Sequence, residues 1–359
     1  MNNIFENKKI MGIIGIVIVL LSVGFIVFAI VNKKEPNIND NNDDKTEEKE
    51  EVVNKEEENV EEKKITIIDA SSNSRPIAVM INNLNVARNY HSGLEDAYLV
   101  YEIIVEGGIT RMMALYKDKD TARIGSVRSS RHYYLDYALE NDAIYVHFGW
   151  SPQAQEDIPK LGINNINGLY DSAFWRDTSL NVAYEHTAYT NMEKIKKDAQ
   201  NKGYRLTSDK DTLLNYTSEE VDLTKYDDSV TASSVDIKYS NYLTTSYVYN
   251  SDEKVYYRSV NNKAHTDYVT KKQYSAKNII IAYVSNSNIS GDSKGRQELN
   301  NIGTGTGFYI TNGACIPITW EKKSRKEQTI YKYKDGKEIN VSDGNTYIQI
   351  APKNSAKVK

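Results

Sequence analysis

Acids and guanidiniums are concentrated in residues 101–131, YEIIVEGGITRMMALYKDKDTARIGSVRSSR. Glu102 and Glu106 lead into Gly107-Gly108. Arg111, Arg123, Arg128 and Arg131 follow, with Gly125-Ser126 between the second and third. Three chemistries suit this pattern. The two glutamates could act as acid and base in hydrolysis of glycan or phosphoester bonds, with His147 as proton shuttle and the arginines as charge clamp. The arginines could instead line a groove that grips a carboxylate or phosphate, helped by the Ser126 hydroxyl near a helix start. Or acids and arginines could form an internal ion network that only stabilises a scaffold. The residues leave all three open, and with them whether the chain is an enzyme.

Further candidates lie downstream. His147 ends an alternating run, 143–148, before Gly149-Trp150, and strand ends often carry site residues. Trp175 and Arg176 stand in Phe174-Trp175-Arg176-Asp177, and His186 in Tyr184-Glu185-His186-Thr187. With Arg111, Arg123, Ser126, Arg128, Arg131 and His147 they make the expected ligand-binding set. His147, His186 and an acid could hold a metal, but no ligand spacing such as HExxH supports it. No metal and no cofactor is expected. Cys315 is the only cysteine, so disulfides within the chain and multi-cysteine metal sites are excluded. Its strand-like setting predicts a buried, inert thiol. Gly303-Thr304-Gly305-Thr306-Gly307 lacks the Gly-Lys-Ser/Thr of a phosphate loop and reads as a bulged strand start.

The elements around these residues read as follows. Residues 75–83 form a strand ending in a polar turn. Ser92-Gly93-Leu94-Glu95 fits a capping box, and residues 95–106, whose Val and Ile content suits a strand too, are expected to be a helix ended by Gly107. That would put Glu102 and Glu106 one turn apart on one face. Residues 109–116 read as a strand, 129–140 as a helix with an apolar stripe, and 191–202 as a surface helix. Beyond residue 233 the pattern changes to short alternating runs. Residues 246–249 and 254–258 form a hairpin, and turns are expected at 334–337 and 342–345. Arg258, His265 and Asp267 read as a polar group on a hairpin surface.

The length of 359 residues suggests two folded units. The expected class is α/β, in mixed α+β layers: an α/β unit over 65–216 and a mostly β unit over 233–351. Tyr is 27 and Phe only 6, which predicts sheets with half-buried faces and wet hydroxyls. Residues 10–31 hold 22 uncharged, mostly apolar residues, enough for a transmembrane anchor behind a cytoplasmic tail of residues 1–9. The run is long for a cleaved signal peptide, and no cysteine near its end permits lipid attachment there. Residues 32–64 carry 13 acids against 7 lysines and read as a disordered acidic linker. The net charge is −4, and residues 65–359 hold +1 of it, so no nucleic-acid partner is expected. The expected location is the cell membrane, single-pass, with the bulk of the chain extracytoplasmic. The expected partners are the membrane, through the N-terminal helix, and an anionic glycan, a phosphate-bearing group or a protein.

The ordered motifs also carry a resemblance. Arg75-Pro76-Ile77-Ala78-Val79-Met80-Ile81-Asn82-Asn83, Ser92-Gly93-Leu94, Tyr101-Glu102, Glu106-Gly107-Gly108-Ile109-Thr110-Arg111, residues 125–131 and Phe174-Trp175-Arg176-Asp177 resemble the YerB-like family of exported bacterial proteins. Gly303-Thr304-Gly305 and Trp320 extend it. The resemblance covers about residues 66–351 and implies a two-part ectodomain of mixed α/β layers, lipoprotein-type or membrane-anchored. It brings no catalytic residues. The lipid-anchoring cysteine of the family is missing here, which implies that the helix is the anchor. Glu185-His186 stands where the family tends to have Pro-His.

Overall fold

The computed structural model describes residues 64–359. The expected tail, the anchor at 10–31 and nearly all of the acidic linker lie outside the described residues. Among the described residues no helix is long and apolar enough to cross a membrane.

The chain is a two-domain protein, mixed α/β first and mostly β after it. The first part runs β1 (Ile77–Asn82), α1 (Asn85–Arg88), β2 (Leu99–Ile104), β3 (Thr110–Tyr116), β4 (Ile124–Gly125), α2 (His132–Glu140), β5 (Ile144–His147), α3 (Pro152–Leu161), β6 (Asn165–Asn167), β7 (Phe174–Arg176), β8 (Ala188–Thr190) and α4 (Met192–Asn201). Then come β9 (Asn215–Thr217), β10 (Val230–Thr231), β11 (Ser234–Lys238), β12 (Thr244–Asn250), β13 (Val255–Val260), β14 (Lys263–Ala264), β15 (Ser275–Ala276), β16 (Asn278–Tyr283), β17 (Asn286–Asn288) and β18 (Gln297–Leu299). The last are β19 (Gly303–Thr311), β20 (Ala314–Lys322), β21 (Ile330–Lys332), β22 (Asn340–Ser342), β23 (Thr346–Ala351) and β24 (Ala356–Val358).

One 11-stranded sheet draws on both domains, in the order β10-β20-β19-β16-β23-β2-β3-β1-β5-β6, with β21 on β20. The seam is β23, parallel to β16 on one side and to β2 on the other, with Glu102 opposite Gln349. Side chains alternate across β2, and each face meets a different layer. Tyr101 points to α2, where its hydroxyl donates to Glu140 at 2.6 Å. Glu102 points the other way, to Thr245 and Arg258 of the sheet β14-β13-β12-β11-β24.

The helix expected over 95–106 is instead the short turn Leu94–Asp96 followed by β2. Val100, Ile103 and Ile104 belong to a strand buried along its whole length, and β-branched residues suit that position better than a helix. The capping box does not form, because Gly93 adopts φ 83° and no side chain caps the turn. Glu102 and Glu106 therefore do not share a helical face. The tyrosines also differ from expectation. Tyr133, Tyr134, Tyr145, Tyr247 and Tyr309 are fully buried, with hydroxyls bonded inside the protein.

Other elements match the patterning. Asn191 caps α4 by accepting from Lys194 N, and β12 and β13 form the hairpin, with Tyr249 opposite Tyr256. The glycine-rich run begins β19, and its pairing with β20 is unbroken from Gly303 to Thr311, so the strand is present without the bulge. The turn at 342–345 is not a hairpin: β22 pairs with β9, and β23 enters the large sheet.

Candidate functional site

Strands β1, β5 and β6 run parallel, so Asn82, His147 and Asn167 end at one edge of the large sheet. Arg111, the second residue of the antiparallel β3, stands opposite Asn82 and joins the same edge. Ligands of open α/β sheets bind in the crevice outside such carboxyl ends. Residues 126–130 thread along this edge. Asn82 N donates to Ser126 O, Arg128 N to Met80 O, Phe148 N to Arg128 O and Ser130 N to Gly149 O, at 2.9–3.0 Å. This lacing fixes where the arginine side chains start.

Four guanidiniums share the edge with two carboxylates. Arg131 Nε donates to Glu106 Oε1, and Arg131 Nη1 to Ser130 O at 2.7 Å. Arg111 Nη1 donates to Ser129 O, and its Nη2 lies 3.9 Å from Glu106 Oε2. Arg128 lies 3.5 Å from the Glu185 carboxylate and donates to Glu185 O at 3.1 Å. Arg176 donates to Tyr184 O at 2.7 Å and stacks 4.2 Å from Phe148 and 4.4 Å from Tyr184. Among the described residues Arg176 makes no ion pair. Burial, then the charge of Arg131, pushes Arg111 down to about 9, against the pull of Glu106. Burial alone would raise the Glu106 carboxyl, but the bond from Arg131 and the charges of Arg131 and Arg111 outweigh it and hold it low.

The two histidines at this edge are held in place. His147 is buried, with Nδ1 2.8 Å from Gly149 O and Nε2 3.1 Å from the Asn165 amide. Burial pulls its pKa down to about 4, and both ring nitrogens have partners. It supports the β5 end and is not placed to shuttle protons. His186 accepts from Asn82 Nδ2 at 2.9 Å, which leaves Nε2–H facing Glu185 at 3.4 Å. This chain orients the carboxylate that meets Arg128. The Ser126 Oγ is buried and, among the described residues, has no hydrogen-bond partner.

Arg123 and Trp175 belong to a different cluster. Arg123 pairs with Asp177 at 2.7 Å and lies 3.7 Å over the Tyr189 ring, while Trp175 stacks on the same ring at 6.2 Å. The expected set of site residues thus divides: Arg111, Ser126, Arg128, Arg131, His147, Arg176 and His186 gather at the carboxyl edge, and Arg123 and Trp175 gather around Tyr189.

Glu102 lies elsewhere again. It is fully buried and pairs with Arg258 at 2.9 Å. Its Oε1 also accepts from Asn83, Thr110 and Thr245 at 3.0, 2.7 and 3.1 Å. A carboxylate so enclosed cannot reach a substrate, and Glu106 is held ionised, so the pair is not arranged as general acid and base. Arg258, His265 and Asp267 are buried, not on a hairpin surface. Arg258 Nε donates to His265 Nδ1 at 3.1 Å. His265 Nε2–H then donates to His91 Nδ1 at 2.8 Å, and His91 Nε2–H to Asn82 O at 2.5 Å. One directed chain of bonds thus crosses from the second domain to the end of β1. Among the described residues no cluster of three His, Cys, Asp or Glu side chains could hold a metal.

The sequence reading misplaced Arg258 at a surface and missed Arg296. Arg258 occupies an inward position of β13, between the buried Tyr256 and Val260, so a charge at a core parity position was the available signal. Arg296, whose Nε lies 4.0 Å from Glu106, has no such signal in its loop.

Comparison with known proteins gives a consistent result. Residues 65–205 match the family described as "Protein of unknown function (DUF3048) N-terminal domain", and residues 235–348 match its C-terminal domain. A Bacillus subtilis (strain 168) protein named "Putative lipoprotein YerB" is 34% identical over 283 residues, 77% of this chain and 81% of that one. The crystal structure of YerB protein from Bacillus subtilis superposes with a TM-score of 0.69 at 32% identity, covering 80% of this chain and 94% of that one. The chain belongs to the DUF3048 family, the family of the YerB-like proteins.

Proposed function

We propose that this is a membrane-anchored extracytoplasmic envelope protein that binds an anionic envelope component through Arg111, Arg128, Arg131 and Arg176. The observation that carries this reading is the imbalance at the carboxyl edge, where, among the described residues, those four guanidiniums meet only the carboxylates of Glu106 and Glu185. Arg111 is buried and incompletely neutralised, and a ligand carboxylate or phosphate would relieve it. Exposed Tyr184 and Tyr170, with Trp150 packed on Tyr170 at 5.9 Å, offer apolar surface beside the charges. The relative's description as a lipoprotein supports an extracytoplasmic, membrane-associated location. The only cysteine here, Cys315, is buried in β20, so residues 10–31 would serve as the anchor. Nothing in the placement of Glu102 favours the hydrolase reading.

The test is titration of the full chain in detergent with inorganic phosphate, an oligogalacturonate and an acidic peptide at two salt levels. Binding to at least one is expected, weaker at high salt. Binding that ignores salt, or survives Arg128→Ala with Arg176→Ala, would reject charge-led recognition at this edge.

A further inference from the structure

One carboxylate at the junction of the domains faces three guanidiniums. Glu106 lies in the turn Glu106–Gly108 between β2 and β3. Its Oε1 accepts from Arg131 Nε, its Oε2 is 3.9 Å from Arg111, and Arg296 Nε stands 4.0 Å from Oε1. Arg111 and Arg131 come from the first domain. Arg296 comes from the second, in the loop just before β18 of the β17–β18 hairpin. That hairpin is held against α2 by Glu298 to His132 at 3.2 Å, and the following Asn301 donates to Asp136 at 2.9 Å. Arg296 also pairs with Asp292 at 2.7 Å.

Charge and access favour replacement of the glutamate. Among the described residues the three guanidiniums meet only the carboxylates of Glu106 and Asp292, which leaves one cationic charge unmatched there. The Glu106 side chain is 20% exposed, so solvent reaches it. It precedes Gly107, which has open space where a Cβ would stand, while Gly108 is held by Ser240, whose Oγ donates to its carbonyl at 2.6 Å. An external monocarboxylate would only repeat what Glu106 already does from a tether, at an effective concentration on the order of millimolar or more. A dianion adds charge that the tethered group lacks, and guanidinium forks match phosphate oxygens.

We propose that Glu106 is the internal occupant of a three-guanidinium site spanning both domains, and that a phosphate monoester dianion replaces it. This rests on the anion-recognition reading and adds the ligand group, the point of attachment and Arg296. The monoester can belong to a soluble metabolite or to a lipid headgroup, and the same chemistry serves both.

The experiment is calorimetric titration of the full chain in detergent at pH 8, where the phosphate is doubly charged. Inorganic phosphate, glycerol 3-phosphate and acetate are the soluble probes. Mixed micelles of the detergent with phosphatidylcholine, with and without phosphatidic acid, are the lipid arm. Both soluble phosphates, or the phosphatidic acid micelles, should bind, and acetate should not. E106Q should tighten phosphate binding by about tenfold by removing the competitor, and R296Q should weaken it by about tenfold. Glu106→Asp, which keeps the charge, separates competition from loss of fold and should not tighten binding. Unchanged or weaker binding by a folded E106Q overturns the proposal. So does full binding by R296Q. If R296Q binds as well as the parent while R131Q and R128A lose binding, anion recognition stands and the two-domain site falls. If no probe binds either the parent or E106Q, both fall.

Discussion

Glu102 on β2 and Arg258 on β13 stand 2.9 Å apart, and neither side chain is exposed to solvent. Each comes from a different domain. Glu140 with Lys322, at 2.6 Å and equally buried, repeats the arrangement on the α2 face, and Asp136 with Arg325 adds a third pair at 2.5 Å. The two domains are therefore pinned by charge on both sides of the shared sheet.

Removing one partner of the first pair leaves the other buried without compensation. Glu102→Gln or Arg258→Met should each cost about 3–5 kcal/mol, whereas the two together, which remove both charges and keep an oxygen for Asn83, Thr110 and Thr245, should cost less than the sum of the singles. Urea unfolding of the three variants checks this. Single variants within about 1 kcal/mol of the parent would show that the pair does not hold the domains together.

Acid should loosen the same junction. Burial lowers His91 to about 3 and holds His265 well below its ordinary value, so both are neutral in the folded chain. The unfolded chain takes up these protons below about pH 6.5. Their contribution is fully present above that pH, and stability falls as the pH drops from about 6.5 toward 3. Unfolding free energies at a series of pH values should show this slope, and His91→Gln should flatten it even though it lowers stability at neutral pH.

Gly305 should resist even a methyl group. A Cβ there would stand 2.5 Å from the Trp320 indole, whereas one at Gly295 would meet nothing within 4 Å. Gly305→Ala should cost about 1–3 kcal/mol through overpacking and shift the indole fluorescence. Gly295→Ala, with φ +65°, should cost roughly 1 kcal/mol through its backbone alone. Equal urea midpoints for the two would undo the packing account of this glycine run.

The thiol of Cys315 should be silent in the native chain. Burial raises its pKa to about 12, so little thiolate exists at neutral pH. Labelling with a disulfide reagent should proceed only as fast as the chain opens, and urea should accelerate it. Rapid stoichiometric labelling of the folded protein would contradict this burial.

Much of the local structure was legible. The apolar alternation of residues 246–260 gave the hairpin, Asn191 gave the cap of α4, and Gly303–Thr311 read as a strand because no phosphate-loop lysine follows it. Residues 95–106 misled because a strand buried on both faces loses the period of two that marks half-buried strands. What lies on either side of that strand depends on β23, about 250 residues away, which no local window contains. The same distance hid the partner of Glu102. An internal network with the arginines of residues 111–131 was one expectation for this acid, but Arg258 meets it. At the carboxyl edge the arginines were visible as residue types. Trp175 parts from Arg176 because neighbours on β7 leave opposite faces, and the separation of Arg123 from the other arginines is a matter of tertiary placement.

The position of β23 also bears on biogenesis. As the polypeptide is made, β2 stays without its β23 neighbour until residues 346–351 have followed. Until then its unpaired amides and carbonyls are open to any extended segment nearby. A fragment cut between the two domains would keep that bare flank for good, and it should self-associate or be degraded rather than persist as a small stable protein.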